Sequence, residues 1–158
     1  MAIQINWEKI KLYAVSIIIP LALGGITGLI TSGAMDYEML DQPPLSPPSF
    51  LFPVVWTILY ALMGISFAII KDKGAADTSV TWVYYVQLFV NLLWPVIFFN
   101  LKWRLLAFVW IVILDVLVAV MTVRFYKKDR TAGLLQLPYL AWVLFASYLN
   151  LGVYLLNI

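Results

Sequence analysis

The sequence predicts an all-α fold, an integral membrane bundle of five transmembrane helices. Hydrophobic residues make up 64% of the chain and charged residues 11%, whereas a soluble domain is about half apolar and a quarter charged. The mean hydropathy is +0.96. Short polar segments separate five apolar runs, each about as long as the roughly 20 residues that cross a bilayer. We treat residues 1–158 as one domain.

The first predicted span covers residues 12–35. Its apolar run is longer than that of a cleaved signal peptide, so we expect the chain to retain it. The spacing Gly24-x-x-x-Gly28 allows close helix approach. Packing within this chain is the simpler interpretation of these glycines, and a dimer contact is the alternative.

A proline-rich loop leads into the second span, predicted at residues 50–70. Proline fixes φ and lacks an N–H, so the loop is expected to be stiff and extended. Ser46 followed by Pro47 suits an N-cap and a first helical position. We therefore expect the helix to begin at Pro47, ahead of its most apolar part.

The three remaining spans are predicted at residues 80–101, 105–126 and 131–157. Only residues 102–104 separate the third span from the fourth, so these two helices are expected to be antiparallel neighbours. No repeat of fixed period is visible, and five spans do not divide into two equal inverted halves. This count weighs against a transporter built from inverted repeats.

Lysine and arginine are unevenly divided between the two ends of the predicted bundle. One end holds Lys102 and Arg104, and the other holds Lys9, Lys11, Lys71, Lys73, Arg124, Lys127, Lys128 and Arg130. Positively charged loops stay in the cytoplasm. We therefore predict a cytoplasmic N-terminus, an outside C-terminus and an outside proline-rich loop. The expected location is a bacterial cell membrane.

The chain contains no cysteine and no histidine. Disulfides and thiolate metal sites are therefore excluded, and the commonest metal ligand and general base is missing. We expect no metal site and no required cofactor. The net charge of +2 is too small and too scattered to indicate a nucleic-acid partner.

Aromatic and amide side chains recur at helical spacing on three spans, and polar groups inside spans are expected to face the bundle interior. They are Trp56 and Tyr60 on the second span, Gln87, Asn91 and Trp94 on the third, and Trp142, Ala146 and Asn150 on the fifth. Ring faces with a few hydrogen-bond donors at their edges suit a tetrapyrrole or another flat aromatic ligand. The alternative is that the amides only join helices.

Other tryptophans and one aspartate have simpler explanations. Trp7, Trp82 and Trp103 fall at span ends, where tryptophan anchors the membrane interface, and Trp110 lies deeper and is expected to face lipid. Asp115 falls in the middle of the fourth span, at a cost of roughly 3 kcal/mol. It either contacts a ligand or, as we slightly prefer, joins neighbouring helices as a protonated or hydrogen-bonded group.

Several motifs together carry a family resemblance that covers nearly the whole chain. They are Tyr37 with Pro43, Phe52-Pro53-x-x-Trp56-Thr57-x-x-Tyr60, Gln87-Leu88 with Asn91-x-x-Trp94, and Leu137-Pro138-Tyr139-x-x-Trp142. With these motifs the chain resembles the TspO/MBR family of tryptophan-rich sensory and translocator proteins. It departs from the family pattern at Asp36 and Leu45, where the family usually has tryptophan.

The resemblance implies a five-helix bundle, often dimeric, with a cavity that the first loop closes. Family members bind porphyrins, haem and related tetrapyrroles. The family pattern places ligand-binding residues at Tyr37, Trp56, Tyr60, Asn91, Trp94, Asp115, Trp142 and Ala146. The polar stripes described above add Gln87 and Asn150.

Three functions follow as hypotheses. The first is a membrane sensor or receptor for a tetrapyrrole, protoporphyrin IX or haem. The second is an enzyme that degrades protoporphyrin IX in light, with Trp56 and Trp142 as catalytic electron donors. The third is a transporter of porphyrin or other lipophilic ligands. The expected partners are the lipid bilayer and the tetrapyrrole, and the sequence leaves open whether a homodimer forms.

Overall fold

The computed structural model describes residues 6–158, which contain helices and no strand. Five helical spans are long and apolar enough to cross a membrane: Trp7–Ser32, Leu51–Asp72, Thr78–Asn100, Arg104–Lys128 and Arg130–Leu156. The predicted fold class is therefore confirmed. Residues 1–5 of the predicted domain lie outside the described residues.

The helices are numbered in chain order. They are α1 (Trp7–Ser32), α2 (Leu51–Asp72), α3 (Thr78–Pro95), α4 (Arg104–Lys128), α5 (Arg130–Leu134) and α6 (Leu137–Leu156). A short 3₁₀ helix, Tyr37–Met39, lies in the first loop. The fifth span consists of α5 and α6.

Polar caps explain why several helices begin before the predicted apolar runs. The Asn6 side chain accepts a hydrogen bond from the Lys9 amide at 3.1 Å, and Asp77 accepts one from the Val80 amide at 3.0 Å. Such caps satisfy N–H groups that lack an intrahelical partner. A span predicted from hydropathy alone starts too late, because the first helical turn after a cap is polar.

The predicted span start at residue 50 is within one residue of the observed start at Leu51, but the predicted N-cap at Ser46 is wrong. The Ser46 hydroxyl donates backwards to the Pro43 carbonyl at 2.7 Å, within a turn where Leu45 has a φ of 69°. The hydroxyl is therefore used to close this turn and does not cap the helix.

The end of α3 is also modified. A π-helical turn, Val96–Asn100, follows Pro95, and the Leu101 amide donates to the Val96 carbonyl at 3.0 Å. Turns of this kind occur often at functional sites. Here the turn places Phe98 and Phe99 beside the cavity described below.

The helices form a closed ring. Helix α1 packs against α2 and α3, α3 against α4, α4 against α5 and α6, and the fifth span returns to α2. The predicted antiparallel contact between the third and fourth spans is therefore confirmed. Only a small contact area joins α6 to α2, so the helices of the ring are least tightly packed there.

The end of the bundle that holds the 71–79 and 124–130 turns is solidly packed. Phe67 stacks on Tyr84 with ring centroids 3.9 Å apart, and Phe125 continues the stack. An ion pair between Lys128 and Asp77 at 2.6 Å joins the two turns. The interior of this half is therefore filled, and the cavity described below lies at the opposite end, beneath the proline-rich loop.

Candidate functional site

A cavity of about 780 Å³ lies at the loop end of the bundle and is bordered by α1, α2, α3, α6 and the first loop. Ligand sites typically measure about 300–1,000 Å³, so the cavity is large enough for a sizeable ligand. Seven of the ten residues predicted to bind a ligand line it: Tyr37, Trp56, Tyr60, Asn91, Trp94, Ala146 and Asn150.

Paired aromatic rings form two walls of the cavity. On α2 the Trp56 and Tyr60 rings lie 5.5 Å apart at an interplanar angle of 31°. On the third span the Trp94 and Phe98 rings stack at 5.1 Å and 26°. The two walls belong to different spans and present broad apolar surface to the same space.

The wall contributed by α1 includes three glycines, Gly24, Gly25 and Gly28. A Cβ atom added at Gly24 would overlap the Tyr60 ring, whereas one added at Gly28 would meet no heavy atom within 4 Å. Gly24 therefore packs within the chain, as predicted, and lets the Tyr60 ring approach the α1 backbone. Both glycines line the cavity, but only Gly24 is in close contact with another side chain.

A chain of buried hydrogen bonds forms the floor. The Tyr60 hydroxyl donates to Asn91 Oδ1 at 2.6 Å, and Asn91 Nδ2 donates to the Tyr139 hydroxyl at 2.7 Å. The Tyr139 hydroxyl in turn donates to Gln87 Oε1 at 2.8 Å. Since each group is satisfied by the next, the Asn91 amide, only 3% exposed, is held in one orientation.

A second chain connects the α3 wall to the loop. Trp94 Nε1 donates to Asn150 Oδ1 at 2.9 Å, and Asn150 Nδ2 donates to the Arg104 carbonyl at 3.1 Å. The Arg104 guanidinium donates to both oxygens of Asp36, at 2.8 and 2.7 Å. Asp36 lines the cavity, so the α3 wall, α6 and the loop are fixed relative to one another.

Further hydrogen bonds hold the loop over the cavity. The Tyr37 hydroxyl donates to the Pro47 carbonyl at 3.2 Å, and the Tyr148 hydroxyl on α6 donates to the Pro44 carbonyl at 2.8 Å. Burial alone would raise the pKa of Asp36, but the hydrogen bonds and charges of Arg104 and Lys102 outweigh it and hold this pKa below its usual value. Asp36 is therefore ionised at neutral pH.

Three predicted residues lie outside the cavity wall. Gln87 is fully buried at the end of the hydrogen-bond chain that forms the floor, and it orients Tyr139. Asp115 accepts a hydrogen bond from the Ser147 hydroxyl at 2.7 Å. This bond joins α4 to α6, in agreement with the interpretation of Asp115 as a hydrogen-bonded link between helices. The geometry supports indirect roles for both residues.

Trp142 is the third residue outside the wall. The ring of Phe52, which lines the cavity, lies against the Trp142 ring at 5.9 Å. The four-residue spacing correctly groups Ala146 with Asn150, but at Trp142 a side chain from α2 intervenes. The buried indole N–H of Trp142 has no hydrogen-bond partner within residues 6–158.

The other tryptophans divide as follows. Trp7, Trp82 and Trp103 are exposed at or near helix starts, as predicted. The prediction that Trp110 faces lipid is wrong, because its indole N–H donates to the Val90 carbonyl of α3 at 2.8 Å. This bond helps to attach α4 to α3.

Sequence reasoning missed two residues that shape the site. Tyr139 belongs to a motif quoted for the family, but its central place in the buried network was not predicted. In the sequence Arg104 is recognisable only as a positive charge, and nothing there pairs it with Asp36, 68 positions earlier.

Fold and cavity together define a polytopic membrane protein with an aromatic-walled site of the size that small molecules occupy. The family model described as TspO/MBR family matches residues 16–156. The tryptophan-rich protein TspO of Archaeoglobus fulgidus is 40% identical over 151 residues, which span 94% of this chain and 97% of that relative.

More distant relatives carry related names. The tryptophan-rich sensory protein of Cereibacter sphaeroides is 31% identical over 131 residues, 83% of this chain and 82% of the relative. The translocator protein of Bos taurus is 31% identical over 136 residues, 82% of this chain and 80% of the relative. The chain belongs to the TspO/MBR family and is an integral membrane protein.

Proposed function

We propose that the protein is a membrane receptor or sensor that binds a tetrapyrrole in the loop-end cavity. The observation that carries this proposal is the pair of aromatic walls, Trp56 with Tyr60 and Trp94 with Phe98, on one cavity. A flat conjugated ring gains both stacking and apolar burial between such walls. The names of the relatives, sensory and translocator proteins, agree with a binding role.

Binding is expected to depend on stacking and on hydrogen bonds at the ring edge. The chain has neither histidine nor cysteine, the side chains that most often ligate haem iron. Metal-free protoporphyrin IX should therefore bind about as tightly as haem. A much tighter complex with haem, showing the spectrum of ligated iron, would contradict this mode.

The degradative alternative finds less support in the geometry. It assigns electron transfer to Trp56 and Trp142, but only Trp56 lines the cavity. For the transporter alternative, no feature of the described helices favours alternating access. We therefore retain binding as the proposed function.

The test is a titration of the protein in lipid nanodiscs with protoporphyrin IX, followed by the absorbance of the porphyrin. Trp94→Leu should weaken binding about fivefold or more, because one base-sized stacking contact is worth about 1–3 kcal/mol. The matched control is Trp82→Leu on the outer face of the same helix, where the ring is exposed. Equal affinities for the two variants would refute binding between the walls.

We also infer that the loop and the cavity lie on the outer side of the membrane. The reporter fusions described in the Discussion test this orientation. The support is the predominance of lysine and arginine at the opposite end of the bundle. A ligand would then reach the cavity from outside the cell or from the outer leaflet. A bacterial cell membrane remains our expectation.

A further inference from the structure

A groove of about 590 Å³ lies on the lipid-facing side of α3, separate from the loop-end cavity. The exposed rings of Trp82, Tyr85 and Phe89 line it. Their spacing of three and four residues places them on one face of the helix, over about 10 Å along its axis. This α3 groove therefore presents a continuous aromatic surface to the hydrocarbon of the membrane.

The end of the α3 groove nearest the 71–79 turn is polar. Thr78 and Thr81, in the first turn of α3, line it there, and a threonine hydroxyl can donate a hydrogen bond. Tryptophan is enriched at the level of the lipid headgroups, so Trp82 places this end at the membrane interface. The groove thus joins a polar region at headgroup depth to an apolar region at the depth of the acyl chains.

Arg124 lies beside the polar end of the groove. Its guanidinium donates at 2.7 Å to the carbonyl of Ser79, which directly follows Thr78. A guanidinium has five N–H donors, and within residues 6–158 Arg124 forms no ion pair. The contact with Ser79 therefore holds an uncompensated cation, with donors to spare, next to the groove.

A second cation lies on the α2 side of the groove. Lys71 Nζ is 4.4 Å from the centre of the Phe67 ring, and this ring meets the Tyr85 ring edge to face with centroids 5.8 Å apart. Among the described residues Lys71 also has no acidic partner. The cation–π contact holds the ammonium near the aromatic surface and leaves its charge uncompensated.

The carboxylate at the start of α3 is already balanced. Asp77 accepts a hydrogen bond from the Val80 amide at 3.0 Å and forms an ion pair with Lys128 at 2.6 Å. Its charge is therefore compensated without Arg124 or Lys71. The polar end of the groove is left with a net positive charge, which favours an anion.

We propose that the α3 groove binds an anionic phospholipid. The phosphate lies between Arg124 and Lys71, and one acyl chain runs along Trp82, Tyr85 and Phe89. A soluble anion would leave the rings uncovered, and a two-fold dimer through this face would bring the cations of both copies together. Basic pockets between spans on the cytoplasmic side bind anionic lipid headgroups, and we predict a cytoplasmic location for this end of the bundle. The proposal does not depend on tetrapyrrole binding.

Native mass spectrometry of the purified protein in detergent tests this proposal. The protein is titrated with phosphatidylglycerol or with phosphatidylcholine of identical acyl chains, and the spectra give the number of lipids bound per chain and their affinities. The unaltered protein should retain one phosphatidylglycerol about fivefold more tightly than phosphatidylcholine. This difference corresponds to about 1 kcal/mol, the contribution of one basic residue at a membrane surface.

Four variants separate the headgroup contact from the acyl-chain contact. Arg124→Gln and Lys71→Gln should each weaken phosphatidylglycerol binding about fivefold and abolish the preference over phosphatidylcholine, whereas Arg124→Lys should keep it. Trp82→Leu should weaken the binding of both lipids and leave the preference unchanged. The matched control is Arg130→Gln, the same loss of charge on α5, which packs against α4 and α2. It should behave as the unaltered protein does.

Equal affinities of the unaltered protein for the two lipids would overturn the proposal. Equal losses in Arg124→Gln and Arg130→Gln would also overturn it, because they would indicate diffuse attraction to the basic end of the bundle. Dimer peaks that Trp82→Leu converts to monomer, with lipid binding unchanged, would assign the groove to a second copy. If Arg124→Gln lowers the thermal midpoint, Lys71→Gln provides the same comparison without the contact to Ser79.

Discussion

Tyr139 is the residue on which the buried floor of the cavity depends. Its hydroxyl accepts a hydrogen bond from Asn91 and donates one to Gln87. Tyr139→Phe would leave one hydrogen of the Asn91 amide and the Gln87 Oε1 oxygen unpaired in a buried environment. Each unpaired group costs about 1–3 kcal/mol.

We therefore expect Tyr139→Phe to lower the thermal midpoint in detergent by several degrees. The control is Tyr126→Phe, an exposed ring on α4, which should leave the midpoint unchanged. Similar midpoints for the two variants would mean that the buried network contributes little to stability.

The ion pair between Asp36 and Arg104 predicts how the loop responds to pH. Arg104 and Lys102 lower the pKa of Asp36, so the stabilisation is fully present above the unfolded value of about 3.9. It is lost as the pH falls through the lower pKa of the folded state. Ligand dissociation, measured by stopped flow, should therefore be constant from about pH 8 to pH 5 and accelerate only in stronger acid.

Asp36→Asn tests the same pair without a change in pH. It removes the carboxylate that binds Arg104, so dissociation should be fast at neutral pH and respond little to acid. A dissociation rate equal to that of the unaltered protein at pH 7 would show that the ion pair does not hold the loop.

At the scale of helices, the close contact of α1 with α2 depends on Gly24. Because an added Cβ would overlap the Tyr60 ring, Gly24→Ala should displace that ring and its hydrogen bond to Asn91. Overpacking of this kind typically costs about 1–3 kcal/mol. The expected result is a lower thermal midpoint and weaker porphyrin binding.

Gly28→Ala, one turn further along α1, is the matched control. Its added Cβ would meet no heavy atom within 4 Å, and alanine favours the helix relative to glycine. The midpoint should be unchanged or higher. Equal destabilisation by the two substitutions would contradict the specific contact between Gly24 and Tyr60.

The sequence predicts the cavity residues well where helical spacing alone decides which side chains face the bundle interior. Asn91 with Trp94, and Ala146 with Asn150, reach the cavity as their spacing indicates. Trp142 does not, because Phe52 on another helix lies in front of it. Spacing along one helix carries no information about a side chain that another helix inserts.

Helical periodicity also does not predict hydrogen bonds between polar residues that are far apart in the sequence. The contacts of Asp36 with Arg104 and of Trp94 with Asn150 join residues far apart in the chain. Their formation depends on the ring order of the helices, which hydropathy does not reveal. The resemblance to the family supplied most of the site, but it could not supply Asp36, where this chain departs from the family pattern.

At the scale of the whole molecule, the distribution of charge predicts the direction of insertion. A periplasmic reporter fused after Ile158 should be active and a cytoplasmic one inactive, because the predicted C-terminus lies outside. The same reporters fused within the turn 71–79 should give the opposite pattern. A cytoplasmic signal at Ile158 would reverse the proposed orientation and place the cavity on the inner side.

The central claim is that a flat tetrapyrrole binds between the aromatic walls of α2 and α3. An experimental structure of the protein in lipid with protoporphyrin IX tests it most directly. The account predicts the ring in the loop-end cavity, in contact with Trp56 and Trp94. A porphyrin bound elsewhere on the bundle, with the cavity filled by side chains or lipid, would contradict it.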